Sequence, residues 1–130
     1  MKRIFAIYRA WTSCLLLALM VSVLAPPVLA QDDFISSIDD LPLMPGLVEE
    51  EGGMVFDSPS GRIVEAFATG NVSPGEVLSF YNETLPQLGW RSLGGHVFRR
   101  ESEILKLEFP GGPGAAPPLT VGFSLSPALK

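Results

Sequence analysis

From Gly53 onward, apolar and polar residues follow two rhythms, one of period two and one of period 3.6. Residues 53–57 predict a short strand, and residues 57–62 a turn in which Pro59 presets φ and Gly61 takes a left-handed position. Residues 62–69 predict a second strand. Ile63, Glu65, Phe67 and Thr69 point one way; Val64, Ala66 and Ala68 point the other, and the small alanines leave room for a helix above them. The helical rhythm follows. Ser73-Pro74-Gly75-Glu76 is a capping box with proline at the first helical position. Val77, Leu78, Phe80, Tyr81, Leu85 and Leu88 then fall on one face, while Glu76, Ser79, Asn82, Glu83 and Gln87 fall on the other. Pro86 removes a donor and predicts a kinked or tightened last turn, and Gly89 a left-handed stop. Residues 90–93 lead into a turn or bulge at Gly94-Gly95. Strands are predicted at 96–100 and 103–109, joined by a tight turn at 101–102. A Gly/Pro-rich loop at 111–118 precedes a last alternating strand at 119–125.

The order β-β-α-β-β-β predicts an α+β fold. It is a two-layer sandwich: an antiparallel sheet of about five strands, covered on one face by one amphipathic helix. A helix running back along the sheet makes the third strand parallel to the second, and the strand order is expected to be 2-1-3-4-5.

Upstream of this body the pattern changes twice. Residues 1–30 read as a secretory signal peptide: Lys2, Arg3 and Arg9 precede an uncharged run at 15–25, Pro26-Pro27 breaks it, and Val28-Leu29-Ala30 places small residues before a cut between Ala30 and Gln31. The run is shorter than the roughly 20 apolar residues of a spanning helix, so no stable membrane anchor is expected after cleavage. Cys14 is the only cysteine and precedes the run without a lipobox, which argues against lipidation. The mature chain then holds no thiol, and a small exported domain without disulfides fits a bacterial periplasm. Residues 31–51 form an acidic, Pro-containing lead-in, and residues 52–130 the single α+β domain. Two readings of the lead-in stand: Leu41, Leu43, Met44 and Leu47 tie it to the domain surface, or it is a partly disordered arm.

Charge sharpens this division. The whole chain has a net charge of −5; without residues 1–30 it holds fourteen acidic and six basic side chains, a net of −8. Seven acids precede Gly52 with no base among residues 31–51. This balance argues against nucleic acid as a partner. Candidate chemistry is sparse. His96 is the only histidine, and a catalytic reading pairs it with Ser92 and Glu101, without a nucleophile-elbow pattern around them. One histidine and no mature cysteine do not build a zinc site. Asp32-Asp33 and Asp39-Asp40 lack the spacing of a calcium loop, and the glycines at 111–114 lack the Gly-Lys-Ser/Thr ending of a phosphate loop. No catalytic, metal or cofactor-binding residue is assigned, and no cofactor is expected. Arg91, Arg99, Arg100 and Lys106 suggest a basic patch, but the adjacent Arg99 and Arg100 point to opposite faces of a strand. Tyr81 and Trp90 are the candidate lining of a pocket between helix and sheet, against the alternative that both are core.

The segment 77–90 (Val-Leu-Ser-Phe-Tyr-Asn-Glu-Thr-Leu-Pro-Gln-Leu-Gly-Trp) resembles small exported bacterial envelope proteins, mostly uncharacterised, with a Val-x-x-Phe-Tyr-x-x-x-Leu helix ending in Gly-Trp. The resemblance implies a helix packed on an antiparallel sheet and an envelope compartment; it carries over no functional residue. The expected function is therefore a non-enzymatic binding or accessory module, with an envelope protein as partner. The alternatives are a binder of small apolar ligands with a cleft between helix and sheet, and a hydrolase of unrecognised type.

Overall fold

The computed structural model describes residues 33–129, so the signal segment and its cleavage at Ala30-Gln31 lie outside the described residues. Among the described residues, seven strands and one α-helix follow in the order β1 (Leu47–Glu49), β2 (Met54–Ser58), β3 (Gly61–Gly70), α1 (Pro74–Thr84), a 3₁₀ turn (Leu85–Leu88), β4 (Arg91–Gly94), β5 (Val97–Arg100), β6 (Glu103–Glu108) and β7 (Leu119–Pro127). The fold is α+β, a mostly antiparallel sheet with one helix. The sheet has seven strands rather than five, because β1 arises from the lead-in and β4 from the segment read as the approach to a turn.

The strand order is β1-β3-β7-β6-β5-β4, with β2 also on β3. The expected order 2-1-3-4-5 is therefore incorrect. The C-terminal strand lies beside β3, where Val64 faces Leu125, Ala66 faces Phe123 and Ala68 faces Val121. The reason is hydrophobicity. Leu119, Val121, Phe123 and Leu125 make β7 the most buried strand, which suits a central position, whereas every residue from Met54 to Asp57 is exposed, which suits an edge. The strand returning parallel to β3 after the helix is β4. The strand expected there, now β5, runs antiparallel to β3. Strands β1 and β2 lie along the same edge of β3, since β7 occupies its other side. The interruption at 50–53 shifts the register between them, and the Glu50 amide still donates to the Phe67 carbonyl (2.8 Å). Gly70 is required at the β1 crossing, because a Cβ there would collide with the Gly46 carbonyl.

The helix forms as its sequence dictates. The Ser73 hydroxyl accepts from the Glu76 amide (3.3 Å), and the Glu76 carboxylate accepts from the Ser73 amide (2.7 Å). The bond from the Ser73 amide, with a second from the Ser73 hydroxyl to the same carboxylate (2.8 Å), holds the Glu76 carboxyl below its usual pKa. Pro86 tightens the last turn to 3₁₀ geometry, and Gly89 ends it at φ 86°.

One helix cannot cover the inner sheet face. Eleven residues make a rod about 16 Å long and about 10 Å wide, while six strand positions span about 24 Å or more. The lead-in also supplies residues to the core. Ile35, Ile38, Leu41 and Leu47 are buried with Val64, Val77, Tyr81, Leu85, Phe98 and Phe123 in one cluster. The packed body thus begins well before Gly52, and the reading of residues 31–51 as a tied-down segment, rather than a loose arm, describes residues 35–47. The Ser36 amide and hydroxyl donate to the Glu49 carboxylate (2.9–3.1 Å), and Arg62 bridges Asp39 (3.1 Å) and Glu103 (3.0 Å). Acids of the lead-in are part of these ties.

Candidate functional site

Tyr81, a candidate pocket residue, is fully buried. Its ring meets Phe80 and Phe123 edge-on, with centroids 5.0 and 5.5 Å apart. Its hydroxyl donates to the Pro42 carbonyl (2.9 Å) and accepts from the Met44 amide (3.4 Å). The phenol thus fastens the lead-in to the helix. Burial raises its pKa well above the usual value, with a small opposing effect from the Met44 amide. A raised phenol pKa means stability that is fully present below the ordinary phenol range, near 10, and lost as pH rises beyond it. Urea midpoints should therefore fall more steeply above about pH 10 for the wild type than for Tyr81→Phe, which has no proton to lose there. Trp90, the other candidate, is also buried, and the Arg100 guanidinium lies 4.5 Å from its ring centroid. Arg100 also donates to the Leu88 carbonyl, closing the 3₁₀ turn. Neither aromatic borders any of the three described surface clefts.

His96 is a turn residue. Gly95 (φ 57°) and His96 (φ 64°) join β4 to β5, the two positive φ values that a type I′ turn demands. Glu101 stands beyond the other end of β5, roughly 15 Å away along the strand, and the Ser92 hydroxyl accepts from the Gly94 amide (3.3 Å). The three residues of the catalytic reading do not assemble. His96 instead stacks edge-on with Phe109 (5.7 Å) at the rim of a shallow cleft of about 350 Å³ shared with Lys106, Glu108 and Pro113. A left-handed histidine is strained where glycine is not. His96→Gly should stabilise the protein by about 0.5–1 kcal/mol in urea unfolding, and His96→Ala should leave genetic complementation intact.

The basic residues divide as their strand positions require. Arg100 turns to Trp90, while Arg99 pairs directly opposite Arg91 on β4. A second cleft, of about 370 Å³, is lined by Glu49, Glu50, Glu51, Ser36 and Ser37. Among the described residues no group of three or more His, Cys, Asp or Glu side chains is placed to hold a metal ion, and no helix is long and apolar enough to cross a membrane.

The most distinctive surface is one that sequence reasoning assigned only as a strand. Met54, Val55 and Phe56 are 56%, 58% and 60% exposed. They occupy consecutive positions of an edge strand that, among the described residues, has a hydrogen-bonded neighbour on one side only. Ser58 and Gly61 close the two-residue turn to β3, so the pairs Phe56–Ile63 and Met54–Glu65 face inward in the same phase. The amides and carbonyls of Val55 and Asp57 consequently point away from the sheet. Met54, Phe56 and the half-exposed Ile63 share the outer face, and Val55 lies on the inner side, opposite Val64. A run of apolar residues flanked by turn signals was the sequence sign of this strand; its exposure depends on β7 taking the other side of β3. No protein family, curated protein or solved structure matches this chain.

Proposed function

We propose that the protein is an exported, non-enzymatic binding module of the bacterial cell envelope, with edge strand β2 as its contact surface. The exposure of Met54, Val55 and Phe56 beside unpaired backbone groups supports this reading. An edge of that kind accepts an added strand: main-chain hydrogen bonds supply affinity, and alternating side chains supply selectivity. In a two-layer arrangement, with helix and lead-in over one sheet face, the edge and outer face remain open to a partner. The apolar-ligand reading is less favoured, because Tyr81 and Trp90 are packed side chains that border none of the described clefts.

A photo-crosslinking amino acid placed at Phe56 in living cells tests the proposal, with Asn82 on the exposed face of α1 as the control position. Discrete adducts at position 56, absent at position 82, are expected in the envelope fraction. Absence of adducts at 56, or the same adducts at both positions, would overturn it.

A further inference from the structure

We propose that two copies of this chain pair through β2, antiparallel, about a two-fold axis passing between their Val55 residues. The proposal rests on reading β2 as the contact edge. It begins from an asymmetry between the two ends of the sheet. The far edge, β4, carries Arg91, a register break between Ser92 and Gly94, and three positive-φ residues at its end. Charges and bulges are the devices that keep an edge from pairing. From Met54 to Phe56, β2 has none of them: no charge, no proline and no bulge, only three exposed apolar side chains.

The sequence of β2 also complements itself. A two-fold axis perpendicular to the sheet must centre on a residue, and each choice sets different side chains opposite each other. Centring on Asp57 opposes two carboxylates. Centring on Met54 sets Asp57 against Glu51, and centring on Phe56 sets Val55 against Asp57. Centring on Val55 sets Val55 against its own copy, Met54 against Phe56 and Asp57 against Gly53. Every apolar residue then meets an apolar residue, and no like charges face each other. In this register the two Asp57 residues are about 13 Å apart, and the nearest like charges across the axis are Asp57 and Glu51 of the partner copy, about 8 Å apart, at the screening length of roughly 8 Å at physiological salt. The outward amides and carbonyls of Val55 and Asp57 fall in phase to bond those of Val55 and Gly53 in the partner copy. On the outer face Met54 and Phe56 of both copies form one apolar cluster continuous with Ile63. A single short strand per copy buries less than the roughly 1,200 Å² of a standard stable interface, so the dimer is a weak one that forms with concentration.

Sedimentation of the exported chain between about 1 μM and about 1 mM should show its mass rising toward twice the monomer value. Val55→Pro removes an outward amide without touching the β3 pairing, and Phe56→Asp puts charge into the cluster; each should weaken association at least tenfold. Leu93→Asp, on the opposite edge, should leave it unchanged. Register is read separately. The part of the chain after residue 30 holds no cysteine, so Val55→Cys should oxidise readily to a disulfide-linked dimer, its Cα atoms about 5.5 Å apart in the paired state. Leu93→Cys should not. A wild-type chain that stays monomeric throughout, or association lost as fully by Leu93→Asp as by Val55→Pro, would overturn the proposal. If the chain is monomeric while position 56 captures a different protein in cells, self-pairing falls and the contact-edge reading stands. If position 56 captures nothing, both fall.

Discussion

Tyr81→Ala is expected to leave the protein barely folded. The side chain is fully buried between Phe80 and Phe123. Removing such an aromatic costs about 3–5 kcal/mol in lost contacts and residual void. The variant also takes the phenol hydrogen bond from the half-buried Pro42 carbonyl, a loss of about 1 kcal/mol. A body of this size has a stability near the low end of about 5–15 kcal/mol, so the sum consumes most of it. Tyr81→Phe keeps the ring and should lose only about 1–2 kcal/mol. Ser79→Ala, on the exposed face of α1, should change stability by less than about 0.5 kcal/mol. Urea unfolding of the three variants beside the wild type checks the series. A Tyr81→Ala midpoint near the wild-type value would mean that the ring is not the centre of the core.

The second large effect concerns the lead-in. Residues 52–130 alone should show no cooperative unfolding transition. Removing the segment before Gly52 deletes Ile35, Ile38, Leu41 and Leu47, all buried in the common cluster. Burial of each such side chain is worth about 1.5–3 kcal/mol, so together they supply on the order of 6–12 kcal/mol, comparable to the whole stability of a small domain. The deletion also exposes the core residues packed against them. A single substitution, Ile38→Ala, should cost about 2–4 kcal/mol. A sharp urea transition for 52–130 at the midpoint of the chain beginning at Gln31 would show that the lead-in is an accessory to the core.

These two predictions mark where the sequence was legible. The helix was fully readable, from the Ser73–Glu76 box through Pro86 to Gly89, because capping, periodicity and termination are local properties. Strands β3, β6 and β7 were readable from alternation, and β2 and β5 as short segments set off by turn signals. The burial of Tyr81 followed from its place inside the apolar arc of the helix. Strand order was not readable, since which strand sits beside β3 depends on matching whole faces across long sequence separations. The lead-in was only half readable: its apolar residues were visible, but their burial depends on contacts with residues far away in the sequence. Ile35 and Ile38 lie between Asp32-Asp33 and Asp39-Asp40, in a segment with no apolar periodicity to mark them as core. The candidate surface was missed for a related reason. Met54, Val55 and Phe56 are readable as a short strand, but its place at an edge follows only from β7 occupying the other side of β3.

Amide hydrogen exchange on the chain beginning at Gln31, resolved by residue in dilute and in concentrated solution, most directly tests whether β2 is the contact edge. The account predicts that the outward amides of Val55 and Asp57 exchange quickly when dilute and at least tenfold more slowly when concentrated, with β4 unchanged. Exchange at Val55 and Asp57 that is independent of concentration, or protection appearing along β4 instead, would contradict it.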